Sequence, residues 1–377
     1  MNLPEGDEAL GGWIAEALLE VVAIPSFSGE EHALVDRLEA RCAGWDLPVR
    51  RLSVAGAADD LLIGWTDRPD ILLTAHLDTI RPGWDSPAGE VRDGKVVGLG
   101  AQDDGAGIVA ALLALLLARD SGVQVTRSPV AIGLCVDEEM GGTGSIEMAE
   151  RLRPAAVVGL EGTELRPAIA EAGFVEVWVH VAGLPAHGAL REEGHNAIEE
   201  AHRLIGRILD HPGARHEHPL LGRNIPMLWE IRGGGDLNVV PDRCSFHLDW
   251  RVTPGGPSAT ALLDWLVMVA AEHRAEVEVV EIVEPFETPA DAPVVTALGR
   301  AIATVTGREA KPAGMPAWTD AHNFVDRAGS QAVVFGPGSL RGAHQPGESV
   351  GITDVLTCAR ILARLIADLT DDARRAS

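Results

Sequence analysis

Short apolar runs of β character recur along this chain, separated by stretches with helical apolar spacing, and several of the runs end in a histidine or a carboxylate. The runs are Asp70 to Ala75, Pro129 to Val136, Ala155 to Leu160 and Gln331 to Phe335, each bounded by turn residues. Gly12 to Val22 and His32 to Cys42 carry the helical spacing. Strands alternating with helices predict an α/β fold: a mixed, mostly parallel sheet with helices on both faces. Sheets of that kind bind ligands beyond the carboxyl ends of their strands. His76 and Asp78 follow one run, Asp137, Glu138 and Glu139 a second, and Glu161 a third, so all should emerge at one edge.

Imidazole and carboxylate donors without cysteine suit zinc, cobalt or manganese at a hydrolytic centre. Each motif also has a plainer explanation. His76 and Asp78, at i and i+2, share a face of an extended segment, where the carboxylate could fix the imidazole tautomer, yet an exposed pair after a strand reads the same. Asp103 and Asp104 stand in a Gly-rich turn before a helical run, where one carboxylate is explained as an N-cap and the other is free for a cation. Three adjacent acids, Asp137 to Glu139, repel one another unless a cation offsets them. Two consecutive glutamates can supply one ligand and one unligated base. His344 lies in a loop after the run Gln331 to Phe335, where it completes a second ligand set if that strand joins the same sheet. His211, His216 and His218 form at most a weak zinc clip in a Pro-containing loop, and His202 and His322 have no ligand context.

At 377 residues the chain exceeds the usual size of one core, so two domains are expected. A net charge of -25 disfavours nucleic acid and anionic lipid and favours cationic guests. The uncharged run Gly105 to Ala118 is shorter than the roughly 20 residues that span a bilayer, and reads as a buried helix. Met1 to Leu10 holds Glu5, Asp7 and Glu8 and no basic residue, so no secretory signal is expected there. Cys42, Cys135, Cys244 and Cys358 are far apart and read as small core hydrophobes in a reducing cytoplasm.

Between Gly173 and about Pro285 the texture changes. Phe174 to Ala182, Leu228 to Ile231 and Cys244 to Val252 read as strands, Asn196 to Leu209 and Ala259 to Ala275 as helices, and the strand segments hold no metal-type pair. This predicts an inserted α+β sandwich domain over 174–285, a lid or subunit-contact module, between the two parts of a catalytic domain at 1–173 and 286–377.

The segments LLTAHLDT, GLGAQDDGAG, VDEEMGGTGS, GLEGTE, GLPAHGALREEGHNAI, RGGGDLNVVPDRCSFHLDWRVTPG and GPGSLRGAHQPGE occur in that order from about residue 70 to 348. In this combination the chain resembles the M20 metallopeptidase and amidohydrolase family, which includes acetylornithine deacetylase, succinyl-diaminopimelate desuccinylase, aminoacylase and the glutamate carboxypeptidases. The resemblance implies a zinc-exopeptidase-like fold with two divalent metal ions, zinc foremost and cobalt or manganese as alternatives. It implies that His76, Asp103 and Glu161 hold the first ion, with Asp103 bridging to a second held by Glu139 and His344. It also implies that Asp78 orients His76, that Glu138 is the general base, and that a cis peptide joins Asp103 and Asp104. His187 would reach a substrate carbonyl in the partner subunit of a homodimer, while Asn238 and Arg251 would hold the substrate carboxylate. Arg251 also reads as an ordinary strand-surface ion-pair residue. The implied substrate is an N-acyl amino acid, to which Glu161 leans because it stands where peptidases of the family carry aspartate, or else a short peptide. A non-catalytic metal-binding relative is the remote alternative. The segment Gly314 to Asn323 falls where family members shape the substrate pocket, with Trp318 lining it or packed in the core.

Overall fold

Residues 3–64, 69–86 and 88–376 are described by the structure, a computed structural model. The chain divides into two compact units, one formed by Met1–Ile169, Thr288–Ala313 and Thr319–Ser377, the other by Ala170–Glu287 and Gly314–Trp318.

The first unit is built on a mixed sheet in the order Val49–Leu52, Asp60–Ile63, Val130–Cys135, Ile71–His76, Ala156–Gly159, Gln331–Val334 and Ala168–Glu171. The four strands from Val130–Cys135 to Gln331–Val334 run parallel, and the pairings outside them are antiparallel. Every residue of Ile71–His76 and Val130–Cys135 is buried, as an unbroken apolar run in a sheet covered on both faces requires. The helix Gly105–Asp120 is apolar all round and almost wholly buried, packing against the long C-terminal helix Ile352–Ala376 and on the strand Ile71–His76. Thr143–Leu152 packs with Asp320–Ala328, the first lying on Val130–Cys135 and the second on Gln331–Val334, Ala156–Gly159 and Ile71–His76. No described helix is long and apolar enough to cross a membrane. All four cysteines are free and buried.

The second unit is an antiparallel sheet in the order Pro226–Gly233, Arg243–Val252, Gly173–Ala182 and Ala275–Val283. One face packs Val177, Val179, Phe246 and Leu248 against Leu204 of the helix Ala197–Leu209 and Leu266 of the helix Ala259–Glu272. Helical spacing overran here: the helix expected to reach Ala275 ends at Glu272. Arg274 takes a left-handed φ of 55°, and the chain turns straight into the strand Ala275–Val283. The opposite face brings His247 Nε2 to 2.8 Å from Glu176 and His180 Nε2 to 3.0 Å from Glu278. The Trp178 ring stacks between the two imidazoles. Register, invisible in sequence spacing, creates these cross-strand pairs, and neither belongs to a candidate metal group among the described residues.

Candidate metal centre

In the parallel part of the sheet His76 pairs with Cys135 and Thr74 with Gly159, so two of the strands end level and Ala156–Gly159 ends two residues short of them. The residues just beyond those ends, Asp78, Glu138, Glu139 and Glu161, therefore leave the sheet at one edge, as expected from the order of the runs.

At that edge His76 is buried, with Nε2 2.9 Å from Asp103 Oδ1 and 3.6 Å from Glu161 Oε1. His344 Nε2 lies 3.2 Å from Asp103 Oδ2 and 2.8 Å from Glu139 Oε1. Asp103 thus turns one oxygen to each histidine, the disposition a carboxylate needs to bridge two cations. Donor atoms of His76, Asp103 and Glu139 all lie within 4.8 Å of one another, and so do those of His76, Asp104 and Glu161.

Asp104 has other duties. Its Oδ1 accepts from Gly107 N at 3.0 Å, capping the helix Gly105–Asp120, and its Oδ2 accepts from the His76 backbone N at 3.3 Å. Any side chain at Gly107 would strike that capping carboxylate and the Leu160 carbonyl. The Asp103–Asp104 peptide bond is cis, as the resemblance implied.

Asp78 holds the site differently from the expected carboxylate–imidazole pair. His76 Nδ1 donates to the Asp78 backbone carbonyl at 2.9 Å, while the carboxylate stands 3.5 Å away. That carboxylate instead accepts from Ser28 Oγ at 2.7 Å and from the backbone N of Glu138 and of Glu139, each at 3.0 Å. Asp78 therefore fixes the ring of His76 with its main chain and the Glu138–Glu139 turn with its side chain. That turn follows Asp137, held at a left-handed φ of 65°.

Protonation shows how the cluster is stressed in the metal-free chain. Burial would depress His76, but hydrogen bonds to Asp103 and Asp78 and the charges of Glu138 and Glu161 outweigh it and raise its pKa well above the ordinary value. Hydrogen bonds from His344 and His76 likewise overcome the burial of Asp103 and hold its carboxyl well below the usual range. Burial, then the Asp103 charge, pushes Glu161 up to about 8, and burial raises Glu138 well above its ordinary value. Bonds to Asp103 and Glu139 push His344 up to about 10. Among the described residues the ion-pair partners of Asp103, Glu139 and Glu161 are these two histidines alone. Protons thus offset the negative charge where no lysine or arginine does, and the donor set fits divalent cations.

The family model of Peptidase family M20/M25/M40 matches residues 72–368, a span that contains His76, Asp78, Asp103, Asp104, Glu138, Glu139, Glu161 and His344. The chain belongs to this family. As an M20-type protein it is a hydrolase acting on amide bonds. It is similar to the acetylornithine deacetylase of Myxococcus xanthus, with 32% identity over 381 residues covering 93% of this chain and 96% of that protein. The acetylornithine deacetylase of Edwardsiella ictaluri is 28% identical over 376 residues, covering 92% and 95%. Among solved structures, a Staphylococcus aureus tripeptidase superposes with a TM-score of 0.79 at 21% identity, covering 96% of this chain and 99% of that one. A Bacillus subtilis dinuclear metal-binding M20 peptidase superposes at 0.73 and 14%, covering 97% and 98%. These two likenesses show the fold.

The remaining site candidates of this M20 chain belong to the second unit. His187 is exposed, and its Nδ1 accepts from Ala189 N at 3.1 Å, which leaves the ring proton on Nε2. Asn238 takes a left-handed φ of 66°, and its carbonyl accepts from Gly188 N at 2.6 Å. Arg251 donates to Asp249 at 2.9 Å and lies over the Phe174 ring, so the ion-pair role is realised. His211 packs on Trp250 and Trp265, His216 bonds the Pro254 carbonyl, and His218 faces Glu287, so these three form no clip.

Four residues outside the expected ligand and catalytic set stand beside the site. Ser28 anchors Asp78. Glu31 is fully buried, with Oε1 accepting from Gly29 N at 2.9 Å. Asp320 is buried, and burial, opposed by a bond from Ser145 and the His76 charge, pushes it up to about 7. Glu348 is buried against the Asp103 loop. Of these, Asp320 stands within the segment Gly314 to Asn323 and Glu348 four residues after His344, whereas Ser28 and Glu31 carried no sequence signal.

Proposed function

We propose that this chain is a dinuclear metal-dependent amidohydrolase that removes the acyl group from an N-acyl amino acid, in the manner of the acetylornithine deacetylases it resembles. The observation that carries the reading is the shared carboxylate of Asp103, with one oxygen toward His76 and the other toward His344. His76, Asp103 and Glu161 would hold one cation, and Asp103, Glu139 and His344 the second. Bound zinc, or cobalt or manganese in its place, would supply Lewis-acid polarisation of the scissile carbonyl and acidify the attacking water.

The protein's own groups do the rest. Glu138 carries no ligand duty in this arrangement, which leaves its carboxylate to take a proton from the attacking water and return it to the leaving amine. Asp78, by holding the amides of Glu138 and Glu139, keeps base and ligand in fixed register. His187, with a proton on an exposed Nε2, is suited to donate to the developing oxyanion, and Arg251 and Asn238 to bind the substrate carboxylate.

A homodimer is part of this reading. The edge strand Pro226–Gly233 exposes Met227, Trp229 and Ile231, with Ile225 and Leu237 beside it, an apolar stretch that a second copy would cover. Light scattering should give twice the chain mass, and Trp229→Glu should halve it.

The substrate reading is tested by mass-spectrometric hydrolysis of N-acetyl and N-succinyl amino acids and dipeptides, with zinc or cobalt and with a chelator. Metal-dependent cleavage of the acylated amino acids is the expected result. Cleavage of dipeptides alone would make the chain a metallo-dipeptidase of the same family, and metal uptake without cleavage would leave a binding relative.

A further inference from the structure

His76 and Glu161 are held by the sheet itself: His76 ends a fully buried strand, and Leu160, next to Glu161, donates to the Thr74 carbonyl at 2.8 Å. His344 has no such support. It sits in a loop with a left-handed φ of 56°, a conformation uncommon outside glycine. Two buried side chains tie that loop to the one carrying Asp103. Glu348 Oε1 accepts from the backbone N of Gln102 at 2.9 Å and of Asp103 at 3.1 Å. In the other direction, Gln102 Nε2 donates to the Ser339 carbonyl at 2.6 Å, and Gln102 Oε1 accepts from Ser339 N at 3.1 Å. Gly98 N also donates to the Glu348 carbonyl at 2.9 Å. Glu348 is 2% exposed and Gln102 5%, so water does not compete for these bonds. Gly338 leaves the loop room to pass the Gln102 side chain, since a Cβ there would come within 2.7 Å of Gln102 Cγ.

We propose that Glu348 and Gln102 form a reciprocal clamp that positions Asp103 and His344 to share the second cation. The proposal rests on the two-cation reading above. Neither residue touches the cation; each acts through the loop the other belongs to. The clamp is therefore selective. The first cation keeps two ligands fixed by the sheet, whereas the second depends on two loops whose bases are paired through Ser349–Gly351 with Lys95–Val97 and the Gly98–Glu348 main-chain bond, and whose tips these side chains join.

The test is calorimetric titration of the metal-free full chain with cobalt, together with the visible spectrum of the bound ion and the melting of the metal-free protein. The wild-type chain should take up two cobalt ions. In Glu348→Ala the second should bind about 10–100-fold more weakly, the span seen when groups that orient metal ligands are removed, while the first stays within about threefold. Gln102→Ala, which breaks the link from the other loop, should act on the same ion and decides the matter if Glu348→Ala does not fold. Glu348→Gln keeps the acceptor oxygen and should restore the second ion and its spectrum. Equal weakening of both ions, or a Glu348→Gln protein no better than Glu348→Ala, would overturn the clamp. A wild-type chain that binds a single cobalt would overturn the two-cation reading first.

Discussion

Two clusters in this molecule are made of the same residue types and behave in opposite ways. On the open sheet face of the second unit, His247 meets Glu176 and His180 meets Glu278, each histidine with one carboxylate beside it. At the strand ends of the first unit, two histidines face Asp103, Glu139 and Glu161, with Asp78, Glu138 and Asp104 close behind. In the first arrangement each histidine meets a single carboxylate, with His180 and Glu278 open to solvent and His247 and Glu176 part-buried. The second has acceptors in excess and little water, and only protons or cations can relieve it. Histidine and carboxylate side by side do not mark a metal centre; an uncompensated buried surplus of carboxylate does.

That contrast is sharpest at Glu138. Glu138→Gln should lower kcat by about 10²–10⁴-fold, the usual worth of a general base, while two metal ions per chain remain by elemental analysis. Loss of metal together with activity would return Glu138 to the ligand set. Next in size, Glu139→Ala and His344→Ala should each reduce bound metal toward one ion per chain and leave the His76 side filled. Loss of both ions in either variant would show that the two halves of the cluster do not hold cations separately.

A smaller effect follows from protonation. Glu161 titrates at about 8 in the folded metal-free chain against an ordinary 4.5, and His344 at about 10 against 6.5. Both bind protons more tightly folded than unfolded. Their contributions are therefore complete below 4.5 and 6.5 and are lost as pH rises through about 8 and 10. The melting temperature of the metal-free protein should fall between those limits, and added zinc should flatten the decline by replacing the protons. A metal-free melting temperature that rises over this range would contradict the surplus of buried carboxylate. Smallest of all, Glu278→Ala with His180→Ala should change stability by no more than about 1 kcal/mol and metal content not at all, as for other solvent-screened pairs. A drop in bound metal would erase the distinction between the two clusters.

Much of the first unit was legible because its central strands are short, continuously apolar and closed by turn residues, and because parallel strands deliver whatever follows them to a single edge. That rule brings His76, Asp78, the acids Asp137 to Glu139 and Glu161 to one edge, while the choice of Glu139 over its neighbours came from the family resemblance. The second unit was harder. Its strand Ala275–Val283 alternates charged and apolar residues directly after an apolar helix, and the change of period falls at Arg274, one residue in a left-handed conformation. The cross-strand pairs of its outer face depend on register across separate segments. The role of Asp78 was half legible: its place beside His76 was clear, but the Glu138 and Glu139 amides that claim its carboxylate come from another strand.

By itself the amino-acid sequence determined the family, the parallel core and the donor types, because those depend on periodicity, on apolar content and on motifs contained within short windows. Tertiary structure alone decided which oxygen of Asp103 faces which histidine, that Asp104 is spent as a cap, and that Glu348 and Gln102 join two loops. Those outcomes are set by hydrogen-bond directions across 200 residues or more of chain in the clamp, and no local pattern encodes a distance between segments that meet only when the sheet closes.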